Sequence, residues 1–259
     1  MAGNKIIGIL QPVYLPWLGY FEQMVYVDQF VIMDDVQYTK RDWRNRNQVK
    51  TASGAKWLTV PTVSNSRNAI IKTIDINYEE DWVKRHLRSI EVNYRKCPFF
   101  EPLFGEIKYI LESKPKKLLE LDVLLIKVLC KYLEIETPIE YSSIVPQAAE
   151  RIIDNEQILP QQMDKKNLRI LEICRHFKAN LLYDGKSAAS FIDVEFFRKK
   201  GIEVVFQDYK HPTYRQLFGE FISHQSAIDL IMNTGTEAPA ILRSSPVVKM
   251  LNRKTELKI

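Results

Sequence analysis

Apolar residues along this chain recur with two different periods, and the change from one to the other marks out its elements. The run KIIGIL at 5–10 is short, Ile-rich and unbroken, the pattern of a strand buried on both faces. QPVYLPW at 11–17 interrupts it, because Pro12 and Pro16 fix φ and withhold backbone donors. A helix is expected from 18 to about 28, then a second apolar strand over 29–33 that ends at Asp34 and Asp35. Together these form one βαβ unit. In an open α/β sheet, ligands lie outside the carboxyl ends of the strands, so 11–17 and 34–46 are the expected site loops.

Downstream, strands are expected at 56–61, entered through the turn signal Ser53-Gly54, and at 70–76, as a hairpin or an extension of the first sheet. Helices follow at 81–94, 102–113 and 116–133; the first carries Trp82, Val83, Leu87, Ile90 and Tyr94 on its apolar stripe. A strand at 140–144, a helix at 164–177, a strand at 180–183, a helix at 193–200 stopped by Gly201, a strand at 202–207 and a helix at 226–233 continue the alternation. The expected fold class is α/β: a Rossmann-like, mostly parallel sheet flanked by helices, with a helical insertion around residues 81–135. Residues 1–243 read as a single α/β domain, with 81–135 as a helical subdomain, and 244–259 as a polar C-terminal tail.

Composition narrows the class. With 46% hydrophobic and 27% charged residues, the 259-residue chain has the make-up of a globular protein and not of a disordered or fibrous one. A net charge of +5, with basic residues gathered at 40–50, 84–96 and 114–117, suits an anionic small ligand better than a long nucleic acid. Cys97, Cys130 and Cys174 are far apart and odd in number, so neither a zinc signature nor a disulfide framework is expected. No apolar run approaches a membrane span or a signal segment, and a cytoplasmic location is expected.

Six blocks carry a resemblance. LQPVYLPWLGYF, MDDVQYTKRDWRNRN, WLTVP, HLRSIEVNY, LLYDGKSAASFID and VFQDYKHPTY closely resemble, in order, the signature blocks of the WbqC-like family. The resemblance implies a part in bacterial O-antigen or other surface-polysaccharide biosynthesis. It further implies a transferase that places a glycyl or other acyl group on the amine of a nucleotide-linked amino sugar. The acyl donor is not legible; Mg²⁺ with ATP, or an activated acyl donor, are the cofactors considered, and a homodimer the self-partner considered. Asp184-Gly185 stands where the family pattern often has Ser-Gly. A non-catalytic sugar-nucleotide binding or scaffolding protein is the alternative. A layout similar to adenylate-forming and nucleotidyltransferase folds adds nucleotidyl transfer or adenylate-forming ligation, although Gln11 and Trp17 occupy the neighbourhood of the usual HxGH pair.

Within these blocks, Asp34 and Asp35 are candidates for a general base or for holding Mg²⁺, against a plain loop pair that caps a turn. Arg44 and Arg46, with Asn45 and Lys40, suit a phosphate, since guanidinium offers a bidentate fork; salt bridges to Asp34, Asp35 or Asp42 are the bland reading. His211 is the preferred proton carrier, as a loop histidine with an unperturbed pKa near 6.5. Gln11 and Tyr14 are expected to line the mouth, and Trp17 to stack on a sugar or base, or else to belong to the core. His86 is read as a phosphate contact or a core histidine, and Tyr214 as a substrate contact. Lys186 is a phosphate contact without a full P-loop spacing.

Overall fold

The computed structural model describes residues 5–39, 42–63, 69–147 and 165–245. Strand β1 (Ile6–Leu10) leads through a loop into helix α1 (Leu18–Val25) and back to β2 (Gln29–Ile32). An antiparallel hairpin follows, β3 (Arg46–Thr51) and β4 (Gly54–Thr59), then helices α2 (Trp82–Tyr94), α3 (Phe100–Glu112) and α4 (Leu118–Tyr132). The chain re-enters the sheet at β5 (Ile139–Tyr141) and continues through α5 (Lys165–His176), β6 (Leu181–Asp184), α6 (Val194–Lys199) and β7 (Glu203–Phe206). Helices α7 (Ala227–Thr234) and α8 (Ala238–Leu242) end the described chain.

Five strands pair in parallel in the order β5-β2-β1-β6-β7. This is an α/β fold, and its strands alternate between two cores. Ile6, Phe30, Ile32, Leu181, Tyr183 and Val205 join α1, α2, α3, α4, α7 and α8 on one face. Ile7, Ile9, Val31 and Leu182 meet α5 and α6 on the other. Period-2 side-chain alternation with both faces covered is what makes these strands continuous apolar runs in sequence. Strand order reverses between β1 and β6, so the switch-point crevice opens beyond Leu10 and Asp184. The expected helical insertion lies in the connection from β2 to β5.

Two expectations need correction. Residues 70–76 do not form a strand: Ile71–Thr73 is a 3-10 turn between the isolated bridges Gln37↔Ile70 and Thr62↔Ile76. Its amides donate to loop and neighbouring carbonyls, Ile71 to Val36 and Lys72 to Asp34, instead of to a ladder. The partner of β4 is β3, a segment read as loop because Arg46, Asn47 and Gln48 are polar, and this hairpin forms a sheet of its own. Boundaries shift less. Helix α1 stops at Val25, and Asp28, expected as its end, accepts a hydrogen bond from the Ile6 amide at 2.8 Å, tying the start of β1 to the loop that feeds β2. Helices α2 and α6 begin where capping predicts, with Asp81 and Asp193 accepting from the Lys84 and Phe196 amides. Of the expected C-terminal tail, 246–259 lies outside the described residues, as does Lys40.

Candidate active site at the carboxyl edge of the sheet

Because all five strands run the same way, the loops after β1, β2, β6 and β7 leave from one edge. Gln11 follows β1 directly, and Arg44 donates through Nε to its side-chain oxygen while pairing with Asp42. Tyr183 lies opposite Gly8 in the β1–β6 register, and exposed Lys186 opens the 3-10 turn (Lys186–Ser190) that follows β6 at the same edge. Gln11 and Arg44 are thus brought together after β1, at the switch-point rim, while Lys186 follows β6 with no hydrogen bond to either among the described residues.

Asp34 and Asp35 reach the same edge but are already occupied. The Ser142 hydroxyl bridges both carboxylates, and Asp34 also accepts from the Ser143 amide and hydroxyl at 2.9 and 2.7 Å. Asp35 accepts from Arg169 at 2.7 Å, and both side chains of this pair are nearly buried. Burial alone raises the Asp35 carboxyl, but the hydrogen bonds and charge of Ser142 and Arg169 outweigh it and hold the group below the usual range. Each carboxylate already receives three donors from the chain itself. Among the described residues no group of three or more His, Cys, Asp or Glu side chains is arranged to hold a metal ion.

The 11–17 loop carries the remaining candidates along its length. Leu15, fully buried, sits at φ 44°, a left-handed conformation costly for a non-glycine residue. Asn47 holds it there by donating to the Tyr14 and Leu15 carbonyls at 3.2 and 2.7 Å. Inward-facing Asn47 is therefore the reason a polar segment forms β3. Buried Tyr14 meets His86 Nδ1 at 2.9 Å. Burial drives His86 down to about 4, against the Thr59 carbonyl that favours its charge. His86 is thus a neutral histidine between two partners, and the expected phosphate contact is corrected to a brace of the loop. Asn45 is likewise buried, donating to the Val60 carbonyl, and Arg46 lies 4.4 Å from the centre of the Trp57 ring.

At the far end of the loop, Trp17 crosses so close over Gly19 that an added Cβ would come within 2.2 Å of its ring. Its other side stacks on His224 at 5.0 Å and meets Tyr209 edge-on at 5.5 Å. His211 joins this cluster, 5.1 Å from His224 and 5.8 Å from Tyr209. Its Nδ1 is 2.9 Å from the Pro212 carbonyl, which only accepts, so Nδ1 carries the proton and Nε2 the lone pair. Nε2 is buried and has no hydrogen-bond partner among the described residues. Burial lowers the His211 pKa, so the ring is neutral at pH 7. Tyr214 is not free for a substrate: its hydroxyl donates to buried Asp229, which Tyr94 and Gln216 also serve.

Sequence reading missed a second polar set beneath the rim. Glu22, almost fully buried in α1, accepts from the Tyr183 hydroxyl at 2.9 Å and from Gln207 Nε2 at 2.5 Å, and Gln23 donates to Gln207 at 3.1 Å. The signal was present as two polar residues inside the apolar run LGYFEQMV. Asp184 ends β6 with Oδ1 on the Gly185 amide at 2.6 Å, and burial raises it to about 7. All three thiols are buried, and burial pushes each up to about 12, so none is poised as a nucleophile.

Against known proteins, the profile of the WbqC-like protein family matches residues 11–241. The uncharacterized protein Rv1507c of Mycobacterium tuberculosis (strain ATCC 25618 / H37Rv) is 36% identical over 243 residues, covering 92% of this chain and 98% of that protein. No solved structure matches. Among the described residues no helix is long and apolar enough to cross a membrane.

Proposed function

The chain belongs to the WbqC-like protein family, and from that premise we propose that it is a transferase of bacterial surface-polysaccharide biosynthesis, forming an amide on the amine of a nucleotide-linked amino sugar. The observation that carries this reading is His211: a neutral ring whose tautomer is fixed by Pro212 and whose Nε2 lone pair has no partner. An amine must shed a proton as it attacks an acyl carbonyl. In the proposed step the sugar nitrogen bonds to the carbonyl carbon, its proton passes to His211 Nε2, and the bond to the leaving group breaks, that group departing with the returned proton. The Pro212 carbonyl then faces the proton of an imidazolium and steadies it. Arg44 and Lys186 supply positive charge for the diphosphate, and Gln11 sets the Arg44 fork.

Nε2 is shut away from solvent, so the reaction requires the segment between β7 and α7 to open for substrate. That segment has no regular secondary structure, and its length exceeds the ~12–15 residues beyond which such loops are usually functional. The same burial favours a second reading, a sugar-nucleotide binding protein without catalysis. Mass spectrometry of UDP- and dTDP-amino sugars incubated with the protein and activated acyl donors separates the two. An acyl mass shift lost in His211→Ala is expected of the transferase; no shift with tight binding retained supports the binding protein. Mg²⁺-dependent pyrophosphate release from ATP would redirect the assignment to nucleotidyl transfer or adenylate-forming ligation.

A further inference from the structure

The basic stretch at 84–96 takes no part in the site above, yet one flank of it is built like a receptor. Arg85, Ser89 and Val92 recur at helical spacing, so they share a face of α2, with Asn93 at its margin. Lys56 of β4 and Asn93 each line both of two adjoining depressions, a smaller one on the hairpin and a larger one that runs along α2 to α3 and also takes in Asp81, Glu91 and Glu112. Lys56 is exposed, and neither it nor Lys84 has a carboxylate partner among the described residues. Arg85 spends one nitrogen on Glu80 at 2.7 Å and Arg88 one on Glu91 at 3.3 Å, leaving the rest of each fork available.

Ser89 distinguishes this cleft from an ordinary charged surface. It lines the cleft, is only 6% exposed, and among the described residues its Oγ has no hydrogen-bond partner. Its backbone carbonyl accepts from the Asn93 side chain at 2.7 Å, which ties these two cleft-lining residues together. A buried hydroxyl left unsatisfied is unfavourable unless something from outside completes it. With a guanidinium fork and an ammonium that has no carboxylate partner among the described residues lining the same cleft, the fitting complement is an oxyanion.

We propose that the cleft where α2 meets β4 is a second anion site, binding a phosphoryl group through Lys56 and Arg85, with Ser89 Oγ, shut from solvent in the free protein, turning outward to complete it. It is separate from the switch-point rim and does not depend on the acyl-transfer reading. The same chemistry fits inorganic pyrophosphate and the diphosphate of a nucleotide, and two ligands tell these sources apart.

Calorimetric titration of the full chain with pyrophosphate and with UDP, at low and moderate salt, tests it. The expected result is saturable pyrophosphate binding that weakens with salt and falls about tenfold in Lys56→Glu and about threefold in Ser89→Ala. Equal affinity for the two ligands supports a bare phosphoryl site; tighter UDP binding with the same dependence on Lys56 supports a nucleotide site. Absence of binding, or binding indifferent to both Lys56→Glu and Ser89→Ala, overturns the proposal. Arg85→Gln, on an exposed position, gives a further variant that keeps the fold and is expected to weaken binding about fivefold.

Discussion

Two loops leave the same edge of the sheet and have been treated by the fold in opposite ways. After β2, Asp34 and Asp35 meet Ser142, Ser143 and Arg169, so their carboxylates are supplied with donors from the chain itself. After β7, His211 is placed among aromatic rings with one nitrogen fixed and the other left without a partner. Both loops look alike in sequence, each a polar, charged run following a strand. On the proposed reading, what separates frame from site is whether hydrogen-bonding capacity is consumed internally, because a satisfied group has little to offer a substrate.

The largest effect should come from breaking the frame. Arg169→Ala leaves Asp35 as a nearly buried charge without its cation, and removes donors to the Ser142 and Val145 carbonyls. Urea unfolding should show a loss of about 3–5 kcal/mol. A loss under about 1 kcal/mol would mean the pair is solvated, and Asp35 would return as a site candidate.

His211→Ala should do the reverse, lowering acyl transfer about a hundredfold or more while leaving the urea midpoint nearly unchanged. Because burial lowers the His211 pKa, the rising limb of kcat/KM against pH should fall below 6.5, the ordinary histidine value. A limb centred near 7 that disappears in Asp184→Asn would instead move the base to the end of β6.

How far the sequence shows this contrast depends on the distance over which each signal acts. The strands β1, β2 and β6 are legible because their pattern is local and both faces are apolar. Gln11 and Arg44 were also named together, from two short loops at predicted strand ends. Residues Asp35 and Arg169 pair across 134 positions, and nothing near Asp35 announces Arg169. Strand β3 was hidden for a related reason: Asn47 faces inward to hold the Tyr14 and Leu15 carbonyls, so the polar residue that spoils the strand pattern is the one the fold needs. In α4, Asp122 sits in an apolar run that reads plainly as helix, yet its complete burial with both oxygens unpartnered is a tertiary fact.

Asp184 lies between the two regimes, buried like the frame but paired with no cation among the described residues, and a smaller effect is expected there. Its folded pKa, about 7, exceeds the unfolded carboxylate value, so the folded protein keeps a proton that the unfolded chain releases. Stability attributable to this group therefore declines as pH rises from about 4 to 7 and stays low above. Asp184→Asn should gain about 2 kcal/mol at pH 8 and almost nothing at pH 4, read from denaturation midpoints at the two pH values. An equal gain at both would show that packing, not ionisation, is responsible.

The smallest effect tests whether the 11–17 loop belongs with the frame. Tyr14→Phe keeps the ring in its buried place and removes only the hydroxyl that meets His86 Nδ1, leaving that nitrogen without a partner. The expected loss is about 1 kcal/mol of stability at pH 7. His86 is held neutral with a pKa near 4, so the unfolded chain takes up a proton first as pH falls below about 6.5. Stability should therefore fall between pH 6.5 and 4 in the parent and in Tyr14→Phe alike, and this slope should vanish in His86→Asn. If Tyr14→Phe instead left stability untouched and weakened binding of an amino-sugar nucleotide, Tyr14 would face the substrate. The boundary between frame and site would then run through the loop at Tyr14, short of Trp17.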